Sequence, residues 1–192
     1  IKLGQLLSAR ADVIPSSWVN ELTSLQDRVP PFEFKKVENI LLYELGNSYK
    51  KIISIDSKPL GSASLAQVHK AKLINGDNVI LKVQRPGIEK FFRLDLEVMN
   101  QVAKVVQKNK SLSQGKDWIG IAKECKRVLL RELDFRIEAQ YAARFKQQFI
   151  EDSDILIPSV FWDLSSSKVL CLEYMPGIKI NDIKTLEKNG ID

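Results

Sequence analysis

The dipeptide Asn75-Gly76 constrains the fold of this chain more than any other feature of its sequence. It separates two segments, 66–74 and 78–84, in which apolar residues recur with the spacing of β-strands. Asn-Gly between two such segments is a strong hairpin signal, because both residues tolerate the positive φ angles of a tight turn. A shorter apolar run, Ile52 to Ile55, precedes the pair. We therefore predict an antiparallel meander of three strands in the middle of the chain.

Helical spacing of apolar residues flanks this predicted sheet on both sides. Residues 1–47 have a helical pattern that breaks near Pro15, and a second helix is predicted over 34–45. The order helices, three strands, helices, two strands indicates the α+β class. The elements predicted after the meander are helices over 88–108 and 118–149 and strands over 159–162 and 169–175.

The composition excludes several classes of protein. The 192 residues are 44% hydrophobic and 28% charged, so we expect an ordered chain with a core. The 29 basic and 24 acidic residues are scattered, which favours a solvated surface, leaves nucleotide or lipid headgroups open as ligands, and speaks against nucleic acid. Cys125 and Cys171 lack metal-ligand spacing, and no run approaches the ~20 apolar residues that span a bilayer. Because the chain opens on Ile1, we expect its natural N-terminus upstream.

A loop of small residues lies between the first and second predicted strands. Residues 60–68 fit the frame G-x-A-x-x-A-x-V, where protein kinases have G-x-G-x-x-G-x-V. Alanine in place of glycine stiffens such a loop, since Cβ limits the approach of the backbone to a phosphate. Taken alone the pattern is more typical of a plain turn, but its backbone N–H groups and hydroxyls would suit phosphate oxygens. The nucleotide-binding residues predicted here are Gly61, Ser62, Ala63, Ser64, Ala66 and Val68.

A lysine interrupts the third predicted strand. Strand alternation places Lys82 on the face opposite Val79, Leu81 and Val83. The segment Val-Ile-Leu-Lys-Val matches the V-A-I-K strand of kinases and puts this lysine 21 residues after Gly61. A buried ammonium needs anionic partners such as a phosphate and a carboxylate, whereas an edge lysine would reach water. The position of the preceding loop favours phosphate binding by the lysine.

Three carboxylates on a predicted helix are candidates to orient that lysine. Asp134 and Glu138 are four residues apart and share a helical face, whereas Glu132 points about 200° from Asp134 if the helix is regular. The Asp134 and Glu138 charges repel each other unless a cation lies between them, and Lys82, a magnesium ion or Arg131 could supply it. A solvated acidic helix face is the alternative interpretation.

Together these motifs resemble the UbiB family of atypical kinase-like proteins, also called aarF-domain-containing kinases, over nearly the whole chain. The run Lys2-Leu3-Gly4-Gln5 is similar to the K-x-G-Q signature of that family. Residues 61–68 are similar to its alanine-containing loop, although many members begin the loop with three alanines. Lys82 and the Gln-Arg-Pro-Gly that follows are similar to its third strand and the exit from that strand.

The resemblance implies a fold and a domain organisation. Residues 1–47 would form a helical K-x-G-Q extension that folds over the nucleotide site, or else only a packing hairpin of helices. Residues 48–192 would form a protein-kinase-like N-lobe with a small antiparallel sheet. A helical insertion at 86–120 would separate the third strand from helix C. The chain would end before the C-lobe.

The resemblance also implies roles for individual side chains. Glu138 is similar to the helix C glutamate that pairs with the strand lysine, so Lys82 and Glu138 would be the catalytic pair of the lobe. Backbone groups of Glu173-Tyr174-Met175 would contact adenine. Glu132 and Asp134 are similar to the E-x-D pair of the family, which Lys2 would approach. The residues with implied regulatory roles are Lys2, Gln5, Glu132 and Asp134.

The expected cofactor is ATP or ADP, with Mg²⁺ bound only in the presence of a C-lobe and no metal ligands in this stretch. In the intact protein, the resemblance implies an ATPase or small-molecule kinase that supports isoprenoid quinone synthesis or membrane lipid metabolism. Its partners would be membrane lipid or quinone-synthesis proteins, at the cytoplasmic side of a bacterial membrane or in a plastid or mitochondrion, with this portion soluble. A nucleotide-regulated scaffold without enzymatic activity is the alternative.

Two further expectations concern what these residues do not do. The 192 residues contain no His-x-Asp and no Asp-Phe-Gly, the segments that position the nucleophile and hold magnesium in kinases. We therefore expect no phosphoryl transfer from this stretch alone. The single histidine, His69, is expected to have a surface or packing role.

Overall fold

An antiparallel sheet lies at the centre of the computed structural model, which describes residues 29–191. The five strands are β1 (Ile52–Ile55), β2 (Gly61–Ser62), β3 (Ala66–Leu73), β4 (Asn78–Gln84) and β5 (Val169–Glu173). Their order is β1-β3-β4-β5, and the short β2 pairs with β3 at the end opposite to β1. The predicted meander is confirmed, but part of the predicted phosphate loop is itself a strand, β2.

The predicted hairpin joins β3 to β4, with Lys72 opposite Asn78. Gly76 has φ +95°, a conformation that side chains with a Cβ rarely adopt, so a glycine is required at this position. The side-chain oxygen of Asn75 accepts a hydrogen bond from the backbone N–H of Asp77 at 3.2 Å. Local turn chemistry therefore fixes the register of the two longest strands.

Helices cover both faces of the sheet. They are α1 (Phe34–Leu45), α2 (Ile88–Lys108), α3 (Lys110–Ser113), α4 (Trp118–Arg131), α5 (Phe135–Gln148) and α6 (Ile183–Lys188), with 3₁₀ turns at Gly46–Lys51 and Trp162–Leu164. The predicted bounds of α1 and α2 are confirmed. Between residues 29 and 191, no helix combines the length and apolar character needed to cross a membrane.

Two hydrophobic clusters sandwich the sheet. On one face, Val37 and Leu41 of α1 pack against Val79, Leu81 and Val83 of β4, so α1 shares a core with the sheet. The opposite face is covered by apolar side chains of α2, α4 and α5. Lys82 emerges on this second face, as alternation predicts. The residues of the second cluster are Leu65, Ala66, Phe92, Leu96, Leu129, Phe135, Ala139 and Leu170.

Two predicted elements differ from the observed ones. The single helix predicted over 118–149 is two helices, because the chain leaves helical geometry at Asp134, whose side chain caps α5. The strand predicted over 159–162 is reduced to one bridge between Val160 and Leu172. A 3₁₀ turn begins immediately afterwards at Trp162, so the chain turns away before a second pair forms.

Candidate nucleotide-binding site

A lysine and a glutamate from distant segments meet beneath the sheet. The Lys82 ammonium of β4 donates to both carboxylate oxygens of Glu138, at 2.8 and 2.6 Å. Glu138 lies in the first turn of α5. Lys82, one of the three cations that could lie beside the acidic helix, thus contacts Glu138. An ammonium has three N–H donors, so this contact leaves capacity for a further anionic ligand.

Helix α5 also supplies an apolar support for the lysine. The Lys82 ammonium lies 4.8 Å from the centroid of the Phe135 ring, a cation–π distance. Phe135 is itself buried, and its backbone N–H donates to the carbonyl of Ser167 at 2.9 Å. This bond ties the start of α5 to the segment that leads into β5. The ammonium is therefore held by both a charge and a ring from one helix turn.

The small-residue loop is a closed hairpin. Ser62 in β2 pairs with Gln67 in β3, and the backbone N–H of Ala63 donates to the carbonyl of Ala66 at 2.8 Å. The N–H of Leu60 donates to the carbonyl of Val68 at the same distance. Not every N–H group predicted to cradle phosphate is therefore available in this conformation, because that of Ala63 is already bonded within the loop.

The two loop hydroxyls occupy different environments. Ser62 Oγ accepts a hydrogen bond from the guanidinium of Arg85 at 2.7 Å. Ser64 Oγ is shielded from solvent and has no hydrogen-bond partner. A buried hydroxyl without a partner costs about 1–3 kcal/mol, so Ser64 is a site of unfavourable free energy in the loop. In this conformation the Ser62 hydroxyl is already hydrogen-bonded and the Ser64 hydroxyl is buried.

The predicted acidic residues meet around one cavity. Glu132 is the C-cap of α4 and Asp134 is the N-cap of α5, and both line a cavity of about 350 Å³ together with Glu138. The expectation of a regular helix through these residues is wrong, because the turn at 132–134 changes their relative directions. The arrangement therefore brings all three carboxylates to one side of the lobe.

Asp134 has a partner that the sequence did not predict. Its carboxylate accepts hydrogen bonds from both the guanidinium and the backbone N–H of Arg136, at 2.7 and 3.1 Å. The guanidinium hydrogen bond is the main cause that lowers the pKa of the Asp134 carboxyl below its usual value. Arg131, the alternative partner, donates to the hydroxyl of Tyr141 instead. The N-cap position of Asp134 is the sequence signal that could have located this pair.

The segment expected to contact adenine begins at Glu173, the last residue of β5. The N–H of Glu173 donates to Ser159 O at 2.9 Å, and that of Tyr174 to Asn78 O at 3.0 Å. Ser159 also donates its N–H and Oγ–H to the Glu173 carboxylate, which lowers the pKa of that carboxyl. Two of the three N–H groups in this segment are therefore already hydrogen-bonded within the lobe.

The remaining expectations concern Lys2, Gln5, metal ligands and His69. Lys2 and Gln5 lie outside the described residues. Within residues 29–191, no group of three or more His, Cys, Asp or Glu side chains is arranged to hold a metal ion. His69 is buried, in keeping with the packing role expected for it.

Comparison with known proteins identifies the family of the chain. Residues 24–192 match the model of the ABC1 atypical kinase-like domain. The chain is 43% identical to protein ACTIVITY OF BC1 COMPLEX KINASE 7, chloroplastic, of Arabidopsis thaliana, and covers 28% of that protein. It is 38% identical to the probable protein kinase UbiB of Pseudomonas putida and covers 36% of it. Both alignments include 100% of this chain, which thus spans about a third of the length of these relatives.

A solved structure shows the fold to which this chain is similar. The Rv3197 chain from Mycobacterium tuberculosis, solved in complex with erythromycin, superposes with a TM-score of 0.70 at 32% identity. The match covers 94% of this chain and 45% of that one. The α+β, protein-kinase-like N-lobe expected from the sequence is therefore confirmed. Family model, relatives and fold agree that the chain belongs to the ABC1 family of atypical kinase-like proteins, which includes the UbiB proteins that its motifs resemble.

Proposed function

We propose that this chain is the nucleotide-binding portion of an atypical kinase or ATPase, and that its ligand is ATP or ADP. The observation that carries the proposal is the contact of Lys82 with Glu138 at 2.6 Å. A lysine oriented by a carboxylate beside a hairpin loop is the arrangement with which kinases hold the phosphates of a nucleotide.

The exposure of the pair supports a ligand role over a purely structural one. The Lys82 side chain is 28% exposed and that of Glu138 is 48% exposed, so the ammonium remains accessible to a phosphate. Partly exposed ion pairs contribute little to stability, about 0–1 kcal/mol. Such a pair on the sheet face lined by apolar residues is better explained by a bound anion than by its contribution to folding.

Titration of the full-length protein with ADP and with ATP plus Mg²⁺ tests the proposal. Lys82→Ala should weaken binding about tenfold or more, which corresponds to the loss of about 1.4 kcal/mol. Lys72→Ala is the matched control, because Lys72 is an exposed lysine of the neighbouring strand β3. Equal affinity of the Lys82→Ala variant and the wild type would reject the assignment of Lys82.

Phosphoryl transfer is proposed only for a longer protein. The 192 residues contain no catalytic-loop Asp and Asn and no D-F-G Asp, which a kinase needs to position its nucleophile and magnesium. We expect no turnover by this stretch alone. ATP hydrolysis or phosphorylation by a purified 192-residue fragment, abolished by Lys82→Ala, would contradict this expectation.

The proposed role in the cell is based on the family to which the chain belongs. We propose support of isoprenoid quinone synthesis or membrane lipid metabolism at a membrane, and the chloroplastic relative supports a plastid as one location. Depletion of the full-length protein in its host, with measurement of quinone content and rescue by wild type but not Lys82→Ala, tests this role. Rescue by both forms would show that this role does not need nucleotide binding through Lys82 and would contradict this part of the proposal.

A further inference from the structure

Arg85 links the small-residue loop to the segment that precedes α1. Its guanidinium donates to Ala63 O at 2.8 Å and to Ser62 Oγ at 2.7 Å, both in the loop. The same guanidinium donates to Pro30 O at 2.7 Å, in the segment that precedes α1. The backbone N–H of Arg85 donates to Leu65 O at 2.8 Å. One side chain at the exit of β4 therefore holds both the loop and the N-terminal segment.

The contacts are suited to an arginine in particular. A planar guanidinium has five N–H donors in a fixed fork, so it can hold several oxygens at once, which an ammonium on a flexible stem does less well. The guanidinium also lies 5.4 Å from the ring of Phe32. Burial lowers the pKa of Arg85. Because the ordinary pKa of an arginine lies far above neutrality, the guanidinium stays charged.

The N-terminal segment is itself fixed, independently of Arg85. The buried side-chain amide of Gln67 accepts from the backbone N–H of Phe32 at 2.9 Å and donates to Phe32 O at 3.3 Å. Gln67 is the residue that pairs with Ser62 across the loop hairpin. Pro30 O thus belongs to a segment that Gln67 holds in place. The hydrogen bond from Arg85 to Pro30 O connects this fixed segment to the loop.

The backbone of Ala63 is fully engaged as a result. Its N–H is bonded to Ala66 O within the hairpin, and its carbonyl accepts from Arg85. Opening of the loop to admit or release a nucleotide would break the bond to Arg85, and displacement of residues 30–32 would remove the support of that bond.

We propose that Arg85 is a positioning residue that couples residues 30–32 to the loop 61–64, so that the segment before α1 helps to set nucleotide affinity. The effect on affinity rests on the proposed function, but the coupling between the segment and the loop does not. Two measurements separate these parts.

The first measurement is amide hydrogen exchange of the full-length protein without nucleotide. Arg85→Lys, which keeps the charge but loses the fork, should speed exchange in peptides that cover residues 61–66 and 29–34 by about tenfold, the loss of about 1.4 kcal/mol of local stability. Arg93→Lys is the matched control, because Arg93 pairs with Glu89 on the exposed face of α2, away from the loop. Unchanged exchange in both peptides of the Arg85→Lys variant would overturn the coupling.

The second measurement is ADP titration of the full-length protein in a double-mutant cycle. Arg85→Lys and Gln67→Leu should each raise the dissociation constant, and the double variant should show less than the product of the two effects, because both act through residues 30–32. Independent, multiplicative effects would overturn the proposal for affinity. Absence of ADP and ATP binding by the wild type would reject the proposed function, while the exchange result would still decide the coupling.

Discussion

Glu138 holds the Lys82 ammonium at 2.6 Å although 56 residues separate the two in the chain. Those residues include two long helices, α2 and α4, which leave the sheet and return to it before α5 begins. The pair therefore depends on the position of α5 against the sheet, and Phe135 secures that position. Any change that moves the first turn of α5 is expected to disturb the lysine.

Glu138→Gln is expected to separate ligand binding from stability. The amide keeps the shape of the side chain but removes the charge that orients Lys82, so ADP affinity of the full-length protein should fall by about tenfold. The free energy of unfolding should change by less than about 1 kcal/mol, because the pair is partly exposed. Calorimetric titration and chemical denaturation provide the two readouts.

The matched control for this variant is Glu124→Gln. Glu124 pairs with Arg127 on the exposed surface of α4, so its loss should leave ADP affinity unchanged. A Glu138→Gln protein that binds ADP as tightly as the Glu124→Gln protein would show that the carboxylate does not orient the lysine for a ligand.

Asp134 is expected to stabilise the beginning of α5 through its cap. Asp134→Ala removes the acceptor for the backbone N–H of Arg136 and should cost about 1 kcal/mol of unfolding free energy. Asp134→Asn keeps an acceptor oxygen but not the charge, so it should retain most of the cap. Equal destabilisation by both substitutions would assign the effect to the ion pair with Arg136 rather than to the cap.

The same aspartate gives a pH dependence of known sign. Hydrogen bonding to the Arg136 guanidinium lowers the pKa of Asp134 in the folded protein below its unfolded value of 3.8. The resulting stabilisation is present above pH 3.8 and is lost as the pH falls through the folded pKa. The difference in stability between wild type and Asp134→Asn should therefore shrink when denaturation is measured at progressively lower pH below 3.8.

Local chemistry explains which parts of the fold the sequence predicts. The Asn75-Gly76 turn, the bounds of α1 and the face on which Lys82 emerges all depend on residues close together in the chain. The break at 132–134 is different, because helical apolar spacing on both sides of it conceals the end of one helix and the start of the next. The N-cap aspartate is the only local sign of that break.

The contacts of the site that could not be predicted are long-range. Arg85 reaches an acceptor 55 residues away, and Gln67 bonds a backbone 35 residues away. No periodicity encodes such contacts, since they depend on where the segment before α1 lies against β3 and the end of β4. Family resemblance supplied Glu138 as the partner of Lys82, which local reasoning had left among several alternatives.

The two cysteines are expected to differ sharply in reactivity. Cys171 lies fully buried in β5, and burial raises the pKa of its thiol to about 12. The thiolate is the form that alkylates, so Cys171 should resist iodoacetamide at pH 8 until the protein unfolds. Cys125 on α4 is partly exposed and should be modified in the native protein. Mass spectrometry of the labelled native protein, with a Cys125→Ser control, measures the modification of each cysteine. Labelling of Cys171 in the native protein would contradict its buried position in β5.

The hydrogen bonds around His69 define its tautomer, which gives a last prediction. Nδ1 lies 2.7 Å from Asp56 O, a carbonyl that can only accept, so Nδ1 carries the hydrogen. Nε2 then accepts from the Gln67 amide at 2.7 Å, while the second amide hydrogen reaches Phe32 O. Each hydrogen of the Gln67 amide thus has an acceptor.

Nitrogen-15 NMR of the imidazole should therefore show a protonated Nδ1 and an unprotonated Nε2 at neutral pH. Gln67→Leu removes the donor to Nε2 and leaves a buried acceptor without a partner, which costs about 1–3 kcal/mol. The double substitution Gln67→Leu with His69→Phe replaces both polar groups of the pair and should recover part of that loss. A spectrum with the hydrogen on Nε2 would contradict the network, because two donors would then face each other between Gln67 and His69.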